Sequence, residues 1–230
     1  MLNKIKRFIA SEHLLRVDAL YLVALSGGAD SVALLLCLKE LGYRVEAVHC
    51  NFHLRGEESL RDEQFCEELC QRENIPFHKV HFDTQAYADL HKVSIEMAAR
   101  TLRYAWFAEQ GGYVCVAHHA DDQAETLLLQ LIRGTGLRGL AGMAVERDRV
   151  WRPFLSFSRD TLLDFLQQCG ATFVEDSTNS DTHYRRNWVR HELLPLLREV
   201  NPSIANTLSE TASHMRQALS VYELGLQSIV

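Results

Sequence analysis

Six residues, Ser26-Gly27-Gly28-Ala29-Asp30-Ser31, lie between a β-type apolar run, Tyr21–Leu25, and a helical apolar run, Val32–Leu36. A strand, a small-residue turn and a helix start make a phosphate cradle. Glycine lets several backbone N–H groups face one anion, and the helix N-terminus adds donors and partial positive charge. The chain has no Gly-Lys pair, so this is not a Walker A loop. Asp30 fits that difference, because a carboxylate beside bound phosphate needs a divalent cation between them. The plainer reading is a helix N-cap supplied by Ser31 or Asp30.

Two more polar clusters follow strand-like runs: Asn51-Phe52-His53-Leu54-Arg55 after Val45–His49, and His118 to Thr126 after Tyr113–Ala117. In an open parallel sheet the carboxyl ends of the strands gather around one crevice, so three such loops carrying acid, base and donor groups suggest an enzyme. Asp122-x-x-Glu125 is also an acceptable capping box. Zinc at this cluster is disfavoured, since adjacent histidines rarely reach one ion and no cysteine joins them. Mg2+ held by Asp30 and Asp122 is the better reading.

On a helix starting at Ser94, Glu96, Arg100 and Arg103 share one face, while Ile95, Ala98, Ala99, Leu102 and Trp106 form an apolar one. The polar face is either a solvated Glu–Arg pair or a source of guanidinium that replaces the lysine missing from the loop. Gly134, Gly136, Gly139 and Gly142 mark a substrate loop or a linker. Arg185-Arg186-Asn187-Trp188-Val189-Arg190 reads as an RNA-backbone contact with Trp188 for stacking. It reads equally as a helix with core Trp188 and solvated arginines, and Glu175-Asp176 could pair with those arginines inside the protein.

These residues need elements to position them. Strands are expected at Tyr21–Leu25, Arg44–His49, Phe77–Phe82, Tyr113–Ala117 and Ala171–Val174. Helices are expected at Leu2–Leu15, Leu60–Glu73, Ser94–Gln110, Asp122–Arg133, Ser158–Cys169, Arg186–Leu197 and Ser203–Leu226, and one follows the cradle to near Gly42. Alternation of this kind implies a doubly wound α/β fold with a mostly parallel five-stranded sheet and a small helical C-terminal appendage. A nucleotide-binding domain over 1–145, an extension over 146–200 and a closing helix or linker over 201–230 are the expected divisions.

The 230 residues, 47% hydrophobic, exclude extensive disorder. A net charge of −6 excludes a uniformly basic nucleic-acid footprint, so such a partner must meet local patches. Arginine outnumbers lysine 19 to 5, which favours planar phosphate recognition and stacking. The six cysteines contain no Cys-x-x-Cys and suggest reduced thiols in a cytoplasmic protein. Residues 1–16 read as an amphipathic helix rather than a signal peptide, and no membrane partner is expected.

Taken together the motifs resemble the tRNA(Ile)-lysidine synthetases, of the PP-loop ATP pyrophosphatase group. The resemblance is carried by Ser26–Ser31, His53-Leu54-Arg55 and Glu96-Met97-Ala98-Ala99-Arg100 with Arg103-Tyr104. Further matches are His119-x-x-Asp122-Gln123-Ala124-Glu125-Thr126, Arg133-Gly134-x-Gly136 and Arg186-Asn187-x-x-Arg190-His191. It implies an adenine nucleotide alpha hydrolase-like fold and the use of ATP and Mg2+. In such enzymes the carbonyl oxygen at position two of a wobble cytidine attacks the α-phosphate, releasing pyrophosphate. Free L-lysine then attacks that ring carbon and AMP leaves.

Ser26–Ser31 and His53 would bind the nucleotide, and Asp30, Arg100, Arg103, His119, Asp122 and Glu125 would be catalytic. Asn51, Arg55, Glu96, Arg133, Arg186, Asn187 and Arg190 would contact tRNA(Ile) or lysine. Many members carry further tRNA-binding domains after this region, and a homodimer is a further expectation. A tRNA thiolase of the same fold is the nearest rival, but those usually carry Cys-x-x-Cys pairs. A nucleotide-binding module without catalysis is the other alternative.

Overall fold

The computed structural model describes residues 1–12, 19–175 and 185–227. In chain order the first elements are α1 (Leu2–Ser11), β1 (Leu20–Ala24), α2 (Ala29–Glu40), β2 (Arg44–Asn51), α3 (Glu57–Arg72) and β3 (Phe77–His81). Then come α4 (Thr84–His91), α5 (Ile95–Glu109), β4 (Tyr113–Cys115), α6 (Ala120–Arg133), α7 (Leu137–Leu140), β5 (Glu146–Arg147) and β6 (Val150–Trp151). The chain continues through α8 (Arg159–Gln168), α9 (Arg185–Trp188), a π-turn (Val189–Leu193), α10 (Leu194–Val200) and α11 (Ile204–Gln227). The expected extension of α1 to Leu15 and the polar stretch 176–183 reach outside the described residues.

Two compact units result. The first holds Met1–Ala117, Glu146–Pro153 and Leu163–Glu175; the second holds His118–Val145, Phe154–Leu162 and Asp176–Val230.

The first unit contains the sheet, in the order β3-β2-β1-β4-β6-β5. Five strands are parallel and β5 runs antiparallel to β6 at the edge. The sheet therefore has six strands rather than the expected five. Ala171–Val174 is not among them: the Val174 N–H instead donates to the Gly27 carbonyl at 3.0 Å. Its place is taken by β6, whose two residues are too short to show a periodicity. Leu22 and Val48 pack with Phe107, Val114, Val116 and Val150 into the core on this sheet. The chain steps outward from β1 through β2 to β3, then returns to β4 on the other side of β1. That reversal makes the carboxyl ends of β1 and β4 the topological switch point, where open α/β sheets bind ligands.

The helix α2 is buried along much of its length, including Val32, Leu34, Leu35 and Leu38, none with exposed surface. Each leucine so buried contributes roughly 1.5–3 kcal/mol, so the start of α2 is firmly anchored. The sequence reading missed α4, although Asp83 caps it by accepting from the Ala86 N–H at 3.0 Å. Ser94 caps α5 in the same way, accepting from Met97 N–H at 3.2 Å. In the second unit α6 packs against α11, and Ala124, Val189, Leu194 and Ala205 form the core. Among the described residues no helix is long and apolar enough to cross a membrane.

Candidate functional site

The residues between β1 and α2 are held from three sides within the first unit. Leu25 N–H donates to the Val48 carbonyl at 2.9 Å, and buried His49 donates its Nδ1–H to the Leu25 carbonyl at 2.8 Å. Burial pulls the His49 imidazole below its ordinary value, so the ring acts here as a neutral donor. Gly27 then takes φ +89°, a region that side chains rarely adopt, and Val174 packs where its Cβ would be, 2.7 Å from Cγ2.

Ser31 closes the turn. Its hydroxyl donates to the Gly28 carbonyl at 2.9 Å and accepts from the Ser26 N–H at 3.2 Å. The N-cap of α2 is Gly28, not Ser31 or Asp30, and a glycine brings no side chain to cap the helix. This corrects the plainer expectation: a glycine N-cap leaves the first-turn N–H groups to water or a ligand. Asp30 sits in that first turn.

The loop after β2 is strapped just as closely. Asn51 is 2% exposed and donates to Glu63 Oε2 at 2.7 Å and to the Ser59 carbonyl at 3.3 Å. Its Oδ1 accepts the His53 N–H at 3.0 Å, fixing His53 at φ +52°. Asn51, expected to touch substrate, is thus spent inside the protein. Arg55 donates to Asp62 at 2.8 Å and lies 3.5 Å from Glu58. His53 Nε2 meets His81 Nδ1 at 2.9 Å, while His81 Nε2 lies 3.4 Å from Glu63 Oε2. Burial pushes Glu63 up, but Asn51, Lys79 and His81 outweigh it and hold its carboxyl below the usual range.

Along α5, Ala98, Ala99 and Phe107 are buried, whereas Glu96, Arg100 and Arg103 are exposed. The expected apolar face is present, with Ile95, Leu102 and Trp106 half-buried. The described contacts include no Glu96–Arg100 ion pair. Arg100 lies over the Tyr104 ring at 4.9 Å and Arg103 over Phe52 at 5.1 Å, so both guanidiniums are positioned by aromatic faces rather than by carboxylates. Arg152, which sequence reasoning did not single out, is buried beside Tyr104; burial pulls its guanidinium down from its ordinary value. It directly follows the two-residue strand β6, where no pattern marks it.

The second unit has its own charged cluster. His119, not Asp122, is the N-cap of α6, and Asp122 Oδ2 accepts the His119 N–H at 3.1 Å. The capping box therefore lies one turn earlier than Asp122-x-x-Glu125, because the N–H left open by the helix start is that of His119. Glu125 has no exposed surface. Arg186 Nε donates to its Oε2 at 2.7 Å and Arg190 Nε to its Oε1 at 2.6 Å. The same two guanidiniums reach Asp122 Oδ1 at 3.1 and 3.3 Å. Burial pushes Asp122 up, but His119 and Arg186 outweigh it and keep the carboxyl low.

Arg186 and Arg190 are thus turned inward, against the expectation of solvated arginines, while Trp188 is 46% exposed and not core. The buried residue of that turn is Val189. The reason is steric and electrostatic: Val189 fills the apolar contact with Ala124, and the flanking arginines then fall on the acids of α6. Arg133 is exposed in the last turn of α6, and Asn187 is half-buried between the two inward arginines. Of the expected internal partners Glu175-Asp176, Glu175 is exposed and Asp176 lies outside the described residues.

Comparison with known proteins adds the family. A PP-loop domain profile matches residues 1–197. The tRNA(Ile)-lysidine synthase of Bacteroides thetaiotaomicron is 51% identical over 225 residues, covering 96% of this chain and 53% of that protein. That of Parabacteroides distasonis is 49% identical, covering 96% and 52%. The chain spans about half the length of these curated relatives. Among solved structures, the U34-tRNA thiolase NcsA of Methanococcus maripaludis with its [4Fe-4S] cluster superposes with a TM-score of 0.75 at 15% identity, covering 94% of this chain and 80% of that one. That likeness is one of fold. With the glycine turn at the head of α2 and a profile match over most of its length, the chain belongs to the PP-loop domain family.

Proposed function

We propose that the chain ligates lysine to carbon 2 of the wobble cytidine of an isoleucine tRNA, using ATP and passing through an adenylated base. The observation that carries the reading is the glycine-built start of α2, in a chain half identical to proteins named tRNA(Ile)-lysidine synthase. The amides of Gly28 to Ser31 hold the pyrophosphate that will leave. Arg100 and Arg103 stabilise the charge that develops at the α-phosphoryl group, doing the work of the absent loop lysine. His53 contacts the nucleotide.

Among the described residues no group of three His, Cys, Asp or Glu is arranged to hold a metal. Mg2+ takes one or two carboxylates and keeps substrate phosphates and waters as its other ligands. Asp30 would hold it; Asp122, the second expected ligand, has both oxygens engaged by His119 N–H and two guanidiniums and would join only if those guanidiniums turned outward. Bound there, Mg2+ supplies neutralisation of the phosphate charge.

Asp122 and Glu125 are the carboxylates for the lysine ammonium, and His119 the group for proton transfer. Both acids are occupied by Arg186 and Arg190, so lysine binding on this reading requires those guanidiniums to turn outward. Outward-turned arginines beside exposed Trp188 would then face the tRNA, with Arg133 and Asn187. A soluble cytoplasmic enzyme, acting alone or as a homodimer, is part of the same reading.

The test is incubation of the chain with labelled lysine, ATP and tRNA transcripts. Label entering an isoleucine transcript with a cytidine wobble base, with release of AMP and pyrophosphate, supports the reading. A sulfur-containing product, or nucleotide binding without turnover, supports a thiolase or a non-catalytic module instead. Asp30→Ala should abolish AMP release.

A further inference from the structure

Residues 171–174, expected as a strand, lie instead against the turn between β1 and α2. Val174 N–H donates to the Gly27 carbonyl at 3.0 Å, and its Cγ2 fills the place of a Gly27 Cβ. On the same side stand Cys66 Sγ and Phe65 Cδ1 of α3, 3.3 and 3.4 Å from that Cβ position. One flank of the turn is thus closed by protein.

A trans peptide is planar, and its C=O and N–H point in opposite directions. Among the described residues no peptide bond is cis. The Gly27 carbonyl and the Gly28 N–H belong to one peptide. With the carbonyl held by Val174, the Gly28 N–H must point the other way, off the closed flank. The next peptide is set from the helix. The Gly28 carbonyl accepts the Ser31 hydroxyl at 2.9 Å and the Val32 N–H at 3.0 Å, so the Ala29 N–H points out of the start of α2. Two successive amides are oriented by bonds to the carbonyls of their own peptides. The second set of bonds is local to the motif; the first comes from a residue far along the chain. A carbonyl that accepts a hydrogen bond also polarises its peptide and strengthens the N–H on the far side as a donor.

We propose that Val174 is a positioning residue for the phosphate turn: its main-chain N–H aims the Gly28 amide at the pyrophosphate of ATP. This rests on the reading that the turn takes that group. The role belongs to the N–H and not to the isopropyl group, since only the N–H fixes the plane of the peptide. No side-chain pattern marks it, because every residue except proline carries the same donor.

The experiment exchanges the Val174 amide for an ester, by placing the α-hydroxy acid with the valine side chain in the full chain. The isopropyl group stays and the N–H is lost. Calorimetry with pyrophosphate, ATP and AMP reads the result. Pyrophosphate and ATP should each bind about tenfold more weakly than to wild type, the loss of one charge-assisted hydrogen bond. AMP, which has no pyrophosphate to place, should bind as before. Val174→Ala keeps the N–H and should bind pyrophosphate within about twofold of wild type. In isotope-labelled wild type, the Gly28 amide proton should move downfield in nuclear magnetic resonance spectra as pyrophosphate is added.

An ester that binds pyrophosphate as tightly as wild type, or that loses AMP in equal measure, overturns the inference and leaves the ATP reading standing. So does Val174→Ala with the same loss as the ester, or a Gly28 amide that does not respond while pyrophosphate binds. A wild type that binds neither pyrophosphate nor ATP overturns the ATP reading, and the inference falls with it.

Discussion

Arg190 Nε stands 2.6 Å from Oε1 of Glu125, a carboxylate with no exposed surface, and Arg186 holds the other oxygen at 2.7 Å. A buried charge of this kind is tolerated because its partners are bidentate in sum; stripped of both, it is uncompensated. The double variant Arg186→Ala/Arg190→Ala should destabilise the chain by about 3–5 kcal/mol in denaturant unfolding. Each single change should cost clearly less than half of that, since the other guanidinium remains. Additive single effects would show that the two arginines do not share one buried charge.

Gly27→Ala meets two obstacles at once. The residue must hold φ +89°, and its new Cβ lies 2.7 Å from Val174 Cγ2. The left-handed strain and the overpacking together should cost about 2–4 kcal/mol. Nucleotide binding should fall with stability, because the same turn aims the amides. Adding Val174→Ala should recover part of the loss and not the strain. Wild-type unfolding behaviour in Gly27→Ala would contradict the backbone geometry of the loop.

Arg100 and Arg103 make their recorded contacts with aromatic rings and are exposed, so they are dispensable for folding. Arg100→Ala should leave stability within about 0.5 kcal/mol of wild type. On the proposed reaction, AMP release should nevertheless fall by about 100-fold. Loss of folding in step with activity would return these arginines to a structural role.

Asn51→Asp places a second carboxylate 2.7 Å from Glu63 Oε2, in a place that is 2% exposed. Two acids so close cannot both ionise, and one is raised in the folded state above its unfolded value. A raised group favours the fold at pH below its unfolded value and loses that contribution as pH rises. The variant should therefore be destabilised at neutral pH by about 2 kcal/mol or more and should recover towards pH 4, opposite to wild type. Unfolding curves at pH 4, 5.5 and 7 decide this.

Asp121 supplies part of the acid sensitivity of wild type. Burial pushes its carboxyl up, but a hydrogen bond from His119, the Arg159 N–H at 2.9 Å and Arg198 at 2.8 Å outweigh it and bring it to about 2. A depressed carboxyl contributes stability above its unfolded value, lost as pH falls through the folded one. Asp121 should thus contribute roughly 2 kcal/mol at neutral pH, lost between about pH 5 and pH 2. Asp121→Asn should be less stable at pH 7 and show a shallower acid limb; an unchanged limb would place the sensitivity elsewhere.

The sequence alone determined the alternation of strand and helix, the glycine turn at 26–31 and the three polar loops, because those signals are local. Periodicity fixes which face of a segment is apolar, and only glycine suits the turn at Gly27. The tertiary structure decided what those loops do with their side chains. Asn51 is consumed by Glu63, twelve residues away, and Arg186 and Arg190 turn onto acids more than sixty residues away. Neither pairing leaves a trace in spacing. The two-residue strand β6 and the packing of Val174 on Gly27 were equally unreadable: hydrogen bonds to an existing sheet and van der Waals fit across long separations depend on where the chain returns, which no window along it records.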